Sequence, residues 1–236
     1  MVIDFTYDDQ QRLNKFIFST GDQSTGTLIV TPVDSFQYYY NGTEKNSFKA
    51  SNTTPAVSLG IEVTYFRFNN AGQVINDSVI FTGNSSYSTR EYTYATDKIL
   101  VKNSSFYTGS GNSQLTDTFL IKDNNVAEVH YGNPSAAYNT TRYYKCTYDN
   151  KINPVNKLNF AALKPVDGIT GFPSYLAPGA SKNNIVEFTR GIINYQGMFM
   201  PEQTTILTYT YNSDGLPETC IMKTDQDTYT VTYFYE

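Results

Sequence analysis

A short unit recurs along this chain and limits what it folds into. Its clearest copy is Tyr209-Thr210-Tyr211-Asn212-Ser213-Asp214-Gly215-Leu216. Tyr209 and Tyr211 stand two apart, so on a strand they share one face. Asn212-Ser213-Asp214-Gly215 supplies turn chemistry, with Gly215 able to take a positive φ. Leu216 opens the return strand. The unit is a β-hairpin.

Six further copies align on the residue before each turn. Phe5-Thr6-Tyr7 precedes Asp8-Asp9-Gln10-Gln11-Arg12, and Tyr38-Tyr39-Tyr40 precedes Asn41-Gly42, a type I′ signal. Phe66-Arg67-Phe68 precedes Asn69-Asn70-Ala71-Gly72-Gln73, and Tyr92-Thr93-Tyr94 precedes Ala95-Thr96-Asp97-Lys98. Phe119-Leu120-Ile121 precedes Lys122-Asp123-Asn124-Asn125, and Cys146-Thr147-Tyr148 precedes Asp149-Asn150-Lys151. Between Tyr7, Tyr40, Phe68, Tyr94, Ile121 and Tyr148 the spacings are 33, 28, 26, 27 and 27 residues, and 63 more lead to Tyr211. A repeat of that length holds one hairpin and its link to the next. The alternation from Tyr229 to Tyr235 adds a closing strand. The expectation is an all-β antiparallel meander of on the order of fifteen strands in one domain, 1–236. Phe5, Tyr7, Phe66, Phe68, Tyr92, Tyr94, Phe119, Ile121, Tyr148, Tyr209 and Tyr211 fall on one face, with Thr, Lys and Arg on the other. Open twisted sheets rarely pass about ten strands without curling or closing, so the sheet is expected to be strongly curled, half-barrel or barrel-like.

One stretch breaks the rhythm, from about Asn156 to Gln203. It holds Pro165, Pro173, Pro178 and Pro201 and five glycines. Leu158 to Leu163 suits a short helix ended by Pro165, and Ile185 to Thr189 a strand. Phe172, Tyr175, Leu176, Met198, Phe199 and Met200 are too apolar for a free surface loop and read as irregular rather than as strand. They are the candidate ligand-binding residues, on a cap over the concave aromatic face. The competing reading is a plug that completes the core.

Composition narrows the classes. Tyr (21) and Phe (15) supply much of the apolar content, Trp is absent, and charged residues are 17%. A net charge of −5 without a basic stripe argues against nucleic acid or an anionic membrane as the main partner. Cys146 and Cys220 are two in number, either a disulfide pair or two buried strand thiols. By register Cys146 shares the aromatic face with Tyr148 and Cys220 shares the face of Leu216, and reduced thiols are expected. No run of about 18 apolar residues occurs. No signal peptide is legible either, so Met1 is read as following a trimmed targeting segment.

The aromatic-x-aromatic turn with Gly and Leu resembles the YD (Rhs-like) repeat. Tyr148-Asp149-Asn150-Lys151-Ile152-Asn153-Pro154 and Ser181-Lys182-Asn183-Asn184-Ile185-Val186 resemble a family of Bacteroidetes cell-envelope lipoproteins built from such β-hairpin repeats. The likeness is strongest from Tyr143 to Glu236. It implies an extracytoplasmic protein of the periplasm or outer-membrane surface. Contact with the membrane would be only through a removed N-terminal lipidated cysteine. It brings no catalytic residues. Asp77-Ser78-Val79 also fits the O-glycosylation acceptor such bacteria use.

The search for chemistry returns little. His130 is the only histidine, with no nucleophile signature beside it, and reads as a solvent-facing strand residue. One His and two distant Cys do not make a zinc site. Gly109-Ser110-Gly111 is a turn, not a phosphate loop. Asp8, Asp9, Asp149 and Asp214 sit at turns, where side-chain hydrogen bonding explains them better than a glycosidase pair or calcium. No cofactor is expected. The leading expectation is a non-catalytic cell-envelope binding protein holding a lipid or other apolar small molecule on its aromatic face. The alternative is a structural or adhesion module with a packed interior, contacting cell-surface protein or polysaccharide.

Overall fold

The computed structural model describes residues 2–9, 13–22, 29–40, 47–52, 61–69, 71, 73–81, 86–107, 111–132, 141–153 and 181–233. Among these residues there is strand and turn and no helix. The strands are β1 (Val2–Tyr7), β2 (Leu13–Asp22), β3 (Ile29–Tyr40), β4 (Ser47–Asn52), β5 (Ile61–Phe68), β6 (Val74–Phe81), β7 (Tyr87–Tyr94) and β8 (Lys98–Tyr107). They continue with β9 (Gly111–Lys122), β10 (Asn125–His130), β11 (Thr141–Ile152), β12 (Asn183–Ile193), β13 (Phe199–Tyr211), β14 (Pro217–Lys223) and β15 (Thr228–Thr232). Strand order in the sheet is chain order, and the pairs with described register are antiparallel. The expected meander is therefore present. Its cause is local, because a short turn returns each strand beside the one before it.

The repeat is visible at the level of backbone register. Tyr7 pairs with Leu13, Phe68 with Val74 and Tyr211 with Pro217, and each ladder slips just before the aromatic, at Thr6/Tyr7, Arg67/Phe68 and Thr210/Tyr211. A fourth slip falls at Thr147/Tyr148. A bulge bends its strand and raises the local twist, so these four copies of the unit carry a bend into the turn. The turns are held by asparagine. Asn212 Oδ1 accepts from the N–H groups of Asp214 (3.0 Å) and Leu216 (2.9 Å), and Asn69 Oδ1 from those of Ala71 and Gln73 (both 3.0 Å). Asp214, expected to be the side-chain acceptor, contributes only its backbone donor to that bond. Gly215 takes φ +74, and the β9–β10 turn places Asp123 and Asn124 at φ 53 and 60, the left-handed pair a type I′ turn requires.

The chain forms two compact units, Met1–Glu91 with Ser104–Gln114, and Tyr92–Asn103 with Leu115–Glu236. In the first, Phe5, Phe16 and Phe36 stand opposite one another in register. The row Tyr40, Phe48, Phe66, Asp77, Arg90 crosses five strands. It ends in a buried ion pair, with Arg90 Nε 2.9 Å from the fully buried Asp77 Oδ1. The Asp77-Ser78-Val79 triplet thus has a structural use for its carboxylate. Removing one partner of such a pair typically costs about 3–5 kcal/mol.

In the second unit the aromatic face is packed, with a buried set of side chains flanked by half-buried aromatics. Val126, Val129, Tyr144 and Cys146 are buried against Phe119, Ile121, Tyr131, Tyr148, Ile185 and Phe188. Leu207, Cys220, Met222 and Val231 continue the buried face across β13 to β15. Each fully buried Val or Met side chain contributes about 1.5–3 kcal/mol. Both cysteines are free and buried, as their register predicted. The opposite face is mostly polar, with Thr147, Glu187, Lys223 and Thr228 in one cross-strand row beside the exposed Ile206.

The break in the repeat is shorter than its sequence suggested. Residues 183–193 and 199–203 are regular strand, in β12 and β13. Leu158 to Leu163, Phe172, Tyr175 and Leu176 lie outside the described residues.

Candidate functional site

Of the six candidate ligand-binding residues, the described ones are Met198, Phe199 and Met200, at the β12–β13 hairpin. They are not irregular. Asn194-Tyr195-Gln196-Gly197-Met198 is a third copy of the asparagine turn, its Oδ1 accepting from Gln196 (2.9 Å) and Met198 (3.0 Å), with Gly197 at φ +75. The turn leaves Tyr195, Met198 and Met200 exposed by 78%, 55% and 49%. Their apolar character belongs to a hairpin tip and the start of its return strand.

Phe199 turns the other way. Its ring lies across Gly191 of β12, where a Cβ would meet Phe199 Cε2 at 2.5 Å and the Met200 carbonyl oxygen at 2.3 Å. The glycine leaves the room the ring fills. The ring packs on Tyr143 at 4.9 Å between centroids, and His130 meets Tyr143 edge-on at 4.5 Å. Lys145 Nζ sits 5.7 Å from the Tyr143 centroid and 5.2 Å from that of Phe199. Glu128 Oε2 is 3.2 Å from His130 Nε2. Register explains the gathering, since His130 pairs with Tyr143, Tyr143 with Gly191, and Glu128 with Lys145.

The electrostatics are mutual. Burial works to raise the Glu128 carboxyl, but hydrogen bonds from Tyr143 and His130 outweigh it and hold it below its ordinary range. Burial, and then the bond to Glu128, push the Tyr143 phenol up. His130, expected as a solvent-facing strand residue, is a part-exposed strand residue that belongs to a cluster. Carboxylate, imidazole, phenol and ammonium spend their bonding on one another. Among the described residues no group of three or more His, Cys, Asp and Glu is placed to hold a metal ion.

The two stretches that carried the family resemblance meet at the other end of β11 and β12. Asp149 accepts from the N–H of Lys151 (2.9 Å) and of Asn184 (3.2 Å), from Asn184 Nδ2 (3.3 Å), and from the Tyr211 hydroxyl. Asn183 and Asn125 exchange two bonds, at 2.9 and 3.1 Å. Ser181 Oγ accepts from the Val126 N–H (3.1 Å), and the Tyr148 hydroxyl donates to the Val126 carbonyl (2.6 Å). Asn153 N–H donates to the Lys182 carbonyl at 2.9 Å, holding the two ends of the 154–180 connection side by side. The motif residues form a hydrogen-bonded staple between β10, β11, β12 and β13. Burial first, and then Asp149, raise the Tyr211 phenol.

Neither a family model nor a curated protein matches the chain. Solved structures do. A porin-like protein from Bacteroides vulgatus shares 11% identity at a TM-score of 0.55, covering 97% of this chain and 94% of its own. A porin-like protein from Bacteroides uniformis shares 10% at 0.54, covering 97% and 85%. At that identity the likeness is one of fold, and it extends over nearly the whole chain.

Proposed function

We propose that the protein is a non-catalytic module of the bacterial cell envelope that contacts cell-surface protein or polysaccharide through its outer faces and turns. The observation that carries this reading is the packed aromatic face of the second unit, where Val126, Val129, Tyr144, Cys220 and Met222 are buried. A carrier would keep such a face open to its ligand. The strongly curled, half-barrel or barrel-like sheet belongs to the same reading, supported by the porin-like neighbours from Bacteroides. Anchorage is by the N-terminal lipid that the family resemblance implies. A lipid-facing barrel wall fits the second unit poorly: an apolar outer band is its requirement, and Glu187 and Lys223 are exposed in mid-row. The absence of catalysis is part of the proposal, and the engagement of His130 with Glu128 and Tyr143 favours it.

A second reading is a lipid or other apolar small molecule held by the module. The uncharged, exposed Tyr195, Met198 and Met200 favour it. Two measurements separate the readings. The purified full chain is expected to bind Bacteroides cells, and protease or periodate treatment of the cells assigns the partner to protein or polysaccharide. Native mass spectrometry is expected to return the bare mass. A lipid retained through purification, with no binding to cells, would replace the first reading by the second.

A further inference from the structure

We infer that a cup in the first unit, lined by Tyr87, Ser104, Ser105, Asn112, Ser113 and Gln114, is a binding site for a neutral saccharide. The cup encloses about 300 Å³, at the small end of ligand pockets and suited to a sugar ring. Tyr87 opens β7, and its ring rests on Phe106 of β8 at 5.7 Å between centroids and 27° between planes. That backing fixes the ring while leaving 47% of the residue exposed. An immobilised, half-exposed phenol ring is a platform for the C–H face of a pyranose, with its hydroxyl at the wet edge. Around it stand three hydroxyls and two primary amides, from Ser104, Ser105, Ser113, Asn112 and Gln114. Gln114 Nε2 donates to Ser104 Oγ at 3.2 Å, which orients the amide and leaves its carbonyl oxygen as an acceptor. Among the described residues no lining side chain is charged. That set suits neither phosphate nor carboxylate nor a metal ion. It suits a ligand that offers alternating hydroxyl donors and acceptors above an apolar ring face. Gly111, at φ +78 in the strand that brings Asn112 to the wall, is open to space where a Cβ would stand.

The inference names a ligand class for the envelope module and rests on that reading. It is tested on the full chain by saturation-transfer NMR with methyl glycosides of galactose, glucose, mannose and N-acetylglucosamine at millimolar concentration. At least one glycoside is expected to receive saturation. Tyr87→Ala and Gln114→Ala should each weaken its binding about tenfold or more, and Tyr87→Phe should retain it. Gln114 is an exposed side chain, so that variant keeps the test independent of any folding defect in Tyr87→Ala. The inference is overturned if no glycoside receives saturation, or if binding survives both alanine variants. Cell binding by the parent chain then separates the two levels. Cell binding with no saturation of any glycoside removes the cup and leaves the module. Glycoside binding without any cell binding by the parent chain removes the module and leaves the cup.

Discussion

Gly191→Ala sets two physical effects against each other, and the sign of the result decides between them. Glycine inside a strand costs about 0.5–1 kcal/mol relative to alanine, so propensity alone makes the variant more stable. Packing says the reverse. A Cβ at this position would stand 2.3 Å from the Met200 carbonyl oxygen and 2.5 and 2.9 Å from Phe199 Cε2 and Cζ. A carbon rests against a carbonyl oxygen at roughly 3.3 Å, so the first contact is short by about 1 Å. The phenyl ring can swing away, but the carbonyl belongs to the facing strand and yields only if β12 and β13 part.

Overpacking of this kind costs about 1–3 kcal/mol. Displacing the ring also forfeits its contact with Tyr143, about 0.5–1.5 kcal/mol, and weakens the Lys145 cation–π pair, about 0.5–1 kcal/mol. The expected net loss is about 1–5 kcal/mol once the propensity gain is subtracted. Urea unfolding followed by far-ultraviolet circular dichroism measures it, with an unchanged slope required for the comparison. Phe199→Ala alone should cost about 3 kcal/mol. In that background Gly191→Ala should still destabilise, because the carbonyl remains. Gly132→Ala is the control without a movable neighbour: all three near atoms are Thr116 backbone, at 2.3, 2.8 and 2.9 Å. A neutral or stabilising Gly191→Ala would refute the reasoning.

Asp149→Ala should destabilise by about 2–4 kcal/mol, because the buried Asn184 and the Tyr211 hydroxyl lose a charged acceptor. The same substitution should bring the Tyr211 phenol down toward its ordinary value, which ultraviolet titration reads and a purely steric defect would not produce. Alkaline pH should weaken the fold. Burial pushes the Cys146 thiol up to about 12 and the Cys220 thiol up to about 11, whereas an unfolded thiol ionises near 8.5. The folded state therefore keeps protons that the unfolded state sheds. Stability is full below about pH 8.5 and falls as pH rises from there toward the folded values. Replacing both cysteines by alanine should flatten the urea midpoint between roughly pH 8 and pH 9.5, below the tyrosine range. A midpoint as steep as the parent's would contradict the burial argument.

The meander was legible because its signal is local and repeated. Two aromatics two apart, then Asn or Asp and Gly, say where a strand ends, and a short turn leaves the next strand nowhere to go but alongside. The bulges before Tyr7, Phe68, Tyr148 and Tyr211 were not legible, since period-2 alternation reads the same through them. Nor was the Arg90–Asp77 pair, whose members are 13 residues apart in sequence and meet only when β6 and β7 are in register. Glu128, His130, Tyr143, Lys145 and Phe199 come from three strands and meet for the same reason.

The missed hairpin is instructive because its signal was present. Asn194-Tyr195-Gln196-Gly197-Met198 has the spacing of Asn69-Asn70-Ala71-Gly72-Gln73 and Asn212-Ser213-Asp214-Gly215-Leu216, with Asn first and Gly fourth. Alignment on the aromatics hid it, because Gly191-Ile192-Ile193 stands where the other copies have aromatic-x-aromatic. The physical requirement is narrower than the aromatic pattern. The turn needs a side-chain carbonyl at its first position to take the N–H groups two and four residues on, and a residue free to adopt positive φ at its fourth. Asn and Gly meet both demands, and the turn itself asks nothing of its second and fifth positions. Those positions are Tyr195 and Met198 in one copy, Ser213 and Leu216 in another. The turn is thus a frame on which side chains change without cost to the fold. An exposed tyrosine and methionine on that frame are a surface feature carried by the hairpin, not a lapse in its structure.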